Sequence, residues 1–185
     1  VDGGKVLEVG VGTGKNVPYY PADVQVMAID LSQKMLERAQ ERARNLSITV
    51  DLRLMDAQNL DLPTDHFDTA VATFVFCSVP DPVLGLRELG RVVRPGGQIL
   101  LLEHVRVNKP LIGGLMDLLD PLVVRLMGPH INRRTVDNVR QAGLEIERVE
   151  HLTGGGLVKL IIAFPARSGV TREVEHGVKE ATDDC

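Results

Sequence analysis

The sequence has no tryptophan, only two cysteines and aromatic residues at 3%, and it carries no excess of positive charge: the formal net charge is -4. Without a basic surface or aromatic stacking platforms, a nucleic-acid partner is not expected. Cys77 and Cys185 sit in unrelated contexts with no metal-ligand spacing, which argues against a disulfide framework and for reduced thiols in a cytoplasm. Long apolar runs are also missing. The nearest to the roughly 18 residues of a membrane-spanning helix, Leu111 to Met127, is broken by Asp117, Asp120, Pro121 and Arg125. No signal peptide is visible, because Val1 leads almost at once into a strand-like run; we expect an upstream segment to be missing.

The 185 residues suit one domain with room for a core and a ligand cleft. Short runs rich in β-branched residues alternate with longer stretches of helical period, the pattern of β-α-β units around a mostly parallel sheet. Strands are expected near Lys5 to Val9, Gln25 to Ile29, Val50 to Leu54, Phe67 to Thr73 and Gln98 to Glu103. Two more, Leu144 to His151 and Leu157 to Phe164, are separated by Thr153-Gly154-Gly155-Gly156, too short for a parallel crossover and therefore an antiparallel hairpin. Ser32 is positioned to cap a helix over Gln33 to Arg44, and Asp81-Pro82 to start one reaching about Val93. Arg94-Pro95-Gly96-Gly97 should end that helix and turn the chain, and a further helix over Thr135 to Ala142 should close at Gly143. The folded domain is placed at 1–165 and a polar, loose tail at 166–185.

The chemistry begins at Glu8-Val9-Gly10-Val11-Gly12-Thr13-Gly14, where a strand is expected to turn sharply into a helix. Glycines there let the backbone approach a ligand closely. The spacing fits neither of two rivals: G-x-G-x-x-G would require glycine where Lys15 stands, and G-x-x-x-x-G-K followed by Ser or Thr would require glycine in place of Val9 and a hydroxyl in place of Asn16. Glu8 would be a poor neighbour for pyrophosphate but could face a cationic amino-acid group. Asp30, ending the second strand just before Leu31, can accept from both ribose hydroxyls; taken alone, it could equally serve the helix start. Asp56-Ala57 follows the third strand, where a carboxylate could accept from an adenine amino group or simply hold a turn.

With these residues in this order, the chain resembles the class I S-adenosylmethionine-dependent methyltransferases of the type-11, UbiE-like group, over about Lys5 to Phe164. The resemblance implies a Rossmann-like, seven-stranded, mostly parallel sheet with helices on both faces and a C-terminal antiparallel hairpin. It implies S-adenosylmethionine as cofactor and S-adenosylhomocysteine as product. Gly10, Gly12 and Gly14 would surround the methionine portion, Asp30 would hold the ribose, Asp56-Ala57 would flank the adenine, and Thr73 and Phe74 would line the cofactor beneath the sulfonium. Arg91 to Gly97 matches the family's turn into the fifth strand. Family members also carry a helical segment before the first strand.

Methyl transfer by in-line displacement depends on positioning and on removal of water, and requires no metal. The acceptor site should lie beyond the ends of the fourth and fifth strands. His104 there is the candidate general base, since a neutral imidazole can take a proton near neutral pH, with a structural histidine as the alternative. Glu103 could orient it or attract a cationic acceptor, or form a strand-end salt bridge. Cys77 reads as a buried thiol or a pocket residue. His130-Ile131-Asn132-Arg133-Arg134 could close over the acceptor, or Asn132 could cap a helix. Leu111 to Met127 could roof a pocket for a greasy substrate, touch a membrane surface, or pack on the sheet. Phe76-Cys77-Ser78-Val79, Glu103-His104-Val105 and Leu119-Asp120-Pro121 are similar to a membrane-associated branch acting on small thiols and to bacterial phospholipid N-methyltransferases. The implied partner is a small apolar or lipid-like acceptor, a phospholipid amine or a thiol, with a quinone carbon as the rival. The expected location is cytoplasmic with peripheral membrane contact open, as is the oligomeric state.

Overall fold

The computed structural model describes residues 4–104, 134–152 and 158–166. The tail, the segment from Leu111 to Met127 and the stretch from His130 to Arg133 lie outside the described residues, except that Ala166 and Arg134 fall within them. The chain runs through β1 (Gly4–Val9), a single 3-10 turn (Val17–Tyr19), β2 (Val24–Asp30), α1 (Gln33–Asn45), β3 (Asp51–Leu54) and β4 (Phe67–Thr73). It continues through α2 (Pro82–Val92), β5 (Val93–His104), α3 (Thr135–Gln141), β6 (Leu144–His151) and β7 (Val158–Pro165). The strands form one seven-stranded sheet in the order β3-β2-β1-β4-β5-β7-β6. Among the described strands, only β7 runs against its neighbours, β5 and β6. The expected mostly parallel sheet and closing hairpin are therefore present; the hairpin link at 153–157 is outside the described residues.

Strand periodicity explains why helices cover both faces. In β1, Val6 packs toward α1 while Leu7 and Val9 pack toward α2 and α3, as alternation across a pleat requires. Val26 and Ala28 join Val6 against Leu36, Ala39 and Ala43, which recur on one face of α1. On the other face Ala70, Ala72, Ile99 and Leu101 meet Leu86 and Leu89 of α2 and Val139 of α3. From β1 the chain winds outward to β2 and β3, then returns to place β4 on the other flank of β1. That reversal opens a crevice at the carboxyl ends of β1 and β4, where open α/β sheets take ligands.

Three local expectations are corrected. No α-helix follows the glycine turn; the chain makes only the 3-10 turn Val17–Tyr19, because Pro18 and Pro21 remove donors and Tyr20, just before Pro21, is held extended at ψ 136. Ser32 occupies the cap position of α1, but its hydroxyl makes no capping bond. Its carbonyl instead accepts the Met35 and Leu36 N–H groups. Finally, β5 begins at Val93 rather than Gln98: Phe67 pairs with Val93, and the register then jumps to Thr69 with Gln98, so the expected turn is an irregularity inside the strand. Glycine is needed there because a Cβ on Gly97 would come within 2.6 Å of the Asp68 carbonyl oxygen. By contrast, Asp81 caps α2 as expected, its Oδ1 accepting the Leu84 N–H at 3.0 Å.

Leu89 is fully buried between α2 and the sheet. Leu89→Ala should lower unfolding free energy by about 2–5 kcal/mol in urea denaturation without moving the cleft.

Candidate functional site

A cleft of about 620 Å³ opens at the crevice, within the range of small-molecule sites. Gly10 and Val11 N–H groups both donate to the Ile29 carbonyl, at 2.8 and 3.0 Å, which draws the turn after β1 across the end of β2. The two central glycines serve different needs. A Cβ on Gly10 would overlap the Val75 side chain, whereas nothing lies within 4 Å of where a Cβ on Gly12 would stand. Gly12, at φ 53, therefore presents bare backbone to open space. Gly14 instead lies against Ala39 of α1 and is not part of the cleft wall.

Asp30 ties this turn in place. Its Oδ2 accepts the Gly12 N–H at 2.9 Å and its Oδ1 accepts the Ser32 N–H at 2.9 Å. Each oxygen keeps a lone pair for a ligand. Asp56 is arranged similarly after β3: Oδ1 accepts the Gln58 N–H at 2.9 Å in an Asx turn, and the Gln58 amide nitrogen lies 3.1 Å from both carboxylate oxygens. The Gln58 side-chain oxygen then accepts the Asp81 N–H at 2.9 Å, joining this turn to the start of α2.

Glu8 is 2% exposed and does not line the cleft. Asn16 Nδ2 donates to Glu8 Oε1 at 2.9 Å, and the Tyr20 hydroxyl donates to Oε2 at 3.1 Å. Asn16 also donates to Thr73 Oγ1 at 3.1 Å, joining the ends of β1 and β4. Burial raises the Glu8 carboxyl above its ordinary value; bonds from Tyr20 and Asn16 oppose the shift. Burial and the adjacent Glu8 push the Tyr20 phenol upward. Neither Asn16 nor Tyr20 stood out in the sequence, where each looks like a residue of a proline-bearing loop.

Glu103 forms no salt bridge among the described residues. It is fully buried, and its Oε1 accepts the Val75 and Phe76 N–H groups at 2.9 and 3.0 Å. Burial drives its carboxyl up to about 7, against the pull of the nearby Phe76, Val75 and Cys77 backbone N–H groups. Cys77 is buried, with Sγ 3.5 Å from the Phe74 carbonyl, and does not line the cleft.

The cleft thus gathers Gly10 and Gly12, Asp30 and Leu31, Asp56 and Ala57, and Thr73 and Phe74, each pair from a different strand end. Leu31 and Phe74 remain 70% and 40% exposed, and with Met35 they form an apolar rim. Val75, Ser78, Val79 and Pro80 add the wall after β4. His104 ends β5 opposite Val158, at the same end of the sheet.

A family model described as a methyltransferase domain matches residues 7–101. The chain belongs to this methyltransferase family. It is 44% identical over 109 residues, 58% of its length, to a phosphatidylethanolamine N-methyltransferase of Cereibacter sphaeroides, covering 54% of that protein. It is 36% identical over 117 residues to the 2-phytyl-1,4-naphtoquinone methyltransferase of Synechococcus elongatus, covering 60% of this chain and 50% of that one. It also resembles the C-methyltransferase UbiE of Cupriavidus necator, 32% identical over 113 residues, covering 59% of this chain and 46% of the relative. The chain spans about half the length of these curated relatives. Among solved structures, an Aquifex aeolicus SAM-dependent methyltransferase superimposes with TM-score 0.68 at 22% identity, covering 88% of this chain and 82% of that one. The cyclase SpnF gives 0.74 at 22% identity, covering 90% and 77%. These last two likenesses show the fold.

S-adenosylmethionine is the cofactor that the family implies. The cleft fits it: open backbone at Gly12, two strand-end carboxylates with free acceptor capacity, and an apolar rim.

Two tests follow from this geometry. Asp30→Ala should weaken S-adenosylmethionine by about 1.5–3 kcal/mol in calorimetric titration, through lost charge-assisted bonds and a loosened glycine turn. Glu103 is raised from 4.5 to about 7, so the folded chain keeps a proton that the unfolded chain releases across that interval. Its stabilisation is full below the window and is lost as pH rises through it. Stability of the wild type relative to Glu103→Gln should therefore fall by roughly 1 kcal/mol per pH unit across the window and then level off, measured by urea denaturation.

Proposed function

We propose that this chain is the cofactor-binding and catalytic domain of an S-adenosylmethionine-dependent methyltransferase whose acceptor is a small apolar or lipid-like molecule, a phospholipid amine before a thiol. The observation that carries the reading is the convergence of Gly12, Asp30, Asp56 and Thr73 on one cleft at the reversal point of the sheet. In this reading Gly10 and Gly12 flank the methionine portion, Asp30 takes the ribose hydroxyls, and Asp56 with Ala57 reads the adenine edge. Leu31 and Met35 cover the base with apolar surface, and Thr73 and Phe74 border the reacting centre. Glu8 and Gly14 support the turn from behind. Bound there, S-adenosylmethionine would supply a methyl group on its sulfonium sulfur, with the methyl carbon open to attack and S-adenosylhomocysteine as the leaving group.

The residues then have to orient a nucleophile and remove its proton. His104 is the base proposed for that step, taking a proton from an ammonium or thiol as the nucleophile forms. The likeness to a phosphatidylethanolamine N-methyltransferase supports a lipid amine, and such an acceptor would bring a cytoplasmic domain to the membrane periphery. Among the described residues no helix is long and apolar enough to cross a membrane. A quinone-type C-methyltransferase is the second reading, favoured by the likeness to UbiE and the naphthoquinone enzyme.

The deciding assay follows methyl-labelled cofactor into vesicles of phosphatidylethanolamine, a demethylated naphthoquinone, and a small alkyl thiol. Label in the vesicle lipid is the expected result. Label in the quinone alone would replace the lipid reading, and cofactor binding with no acceptor labelled would favour a non-catalytic domain. His104→Gln should lower turnover about 100-fold or more and abolish the acidic limb of the pH-rate profile; an unchanged profile would remove the base assignment.

A further inference from the structure

The segment after β4 supplies much of the cleft wall, yet it leaves the strand through a strained residue. Phe74 has φ 57, a left-handed conformation that non-glycine residues hold only when their surroundings impose it. Three donors from this segment are anchored to the end of β5: the Phe74 N–H on the Leu102 carbonyl at 2.8 Å, and the Val75 and Phe76 N–H groups on Glu103 Oε1. Val75 in turn fills the space beside Gly10 that a Cβ would need. A continuous path of contact therefore runs from the Glu103 carboxyl through Val75 to the glycine turn.

We propose that Glu103 is a positioning residue for the cofactor cleft, its buried carboxyl oxygen fixing Val75 and Phe76 so that the segment after β4 and the glycine turn close on the same ligand; this rests on the reading that the cleft takes S-adenosylmethionine. Glu103 does not itself line the cleft, so it acts through the segment it holds. An apolar residue would fill this buried position without the cost of burying a carboxyl, but it would leave the Val75 and Phe76 N–H groups without this acceptor. Only one oxygen is engaged, since Oε2 has no hydrogen-bond partner among the described residues. A glutamine carbonyl can replace that oxygen.

The test compares the wild type with Glu103→Gln, Glu103→Leu and Glu103→Asp, the last keeping the carboxyl but withdrawing it by one methylene. Val139→Ala serves as a destabilised control whose site is buried away from the cleft. Each is titrated with S-adenosylmethionine at a temperature where circular dichroism shows it folded, and amide exchange is followed at Val75 and Phe76. Glu103→Asp and Glu103→Leu should weaken binding about tenfold or more and speed exchange at both amides. Glu103→Gln should stay within about threefold of wild type, and Val139→Ala should leave affinity unchanged despite lower stability. If Glu103→Leu does not fold, Glu103→Asp carries the comparison. Wild-type affinity in the aspartate variant, equal loss in the glutamine variant, or equal loss in Val139→Ala would overturn the proposal. If the wild type does not bind S-adenosylmethionine, the proposed function fails, while exchange at Val75 and Phe76 still decides whether Glu103 holds the segment.

Discussion

The carboxylate of Asp30 is the constraint on which the cleft depends. Backbone N–H groups on either side of it, from Gly12 in the preceding turn and Ser32 at the entry to α1, converge on its two oxygens. Its own carbonyl accepts the Met55 N–H at 3.1 Å and so holds the exit from β3. One residue thereby connects three of the chain segments that surround the crevice. Losing the side chain would leave N–H donors of a ligand-facing turn to water, and the turn would lose the shape that exposes Gly12.

Behind this first layer stand two buried carboxyl groups on opposite faces of the sheet. Glu8 receives Asn16 and Tyr20 and so connects the glycine turn to Thr73. Glu103 receives two N–H groups from the segment after β4. Burial raises both groups above ordinary carboxyl values. Hydrogen bonds to loop groups, rather than pairing with lysine or arginine, organise the described ligand end of the sheet.

Much of this was legible in the sequence because it is local. Val6-Leu7-Glu8-Val9 alternates between two buried faces, the glycine spacing rejects two other nucleotide motifs, and the short link after His151 requires an antiparallel return. What was not legible depends on partners distant in the chain. Asn16 meets Thr73 across 57 positions, and Glu103 meets Val75 across 28. A strand-end glutamate suggests a salt bridge until the fold brings backbone donors to it. The expected helix after Gly14 followed a general strand-turn-helix pattern and overlooked Pro18 and Pro21. Likewise, Gly96-Gly97 reads as a turn in the sequence, although the pair lies inside β5, where a Cβ on Gly97 would meet the Asp68 carbonyl oxygen.

Fold alone does not determine chemistry here, since a cyclase superimposes on this chain as well as a methyltransferase does. What separates the possibilities is which ligand the glycine turn, Asp30 and Asp56 accept together. Competitive calorimetry on the wild-type chain with S-adenosylmethionine, S-adenosylhomocysteine and NAD tests that directly. The two adenosyl-sulfur compounds should bind one shared site, and NAD should neither bind there nor displace them; binding of NAD with no response to either would contradict the assignment of the cleft to S-adenosylmethionine.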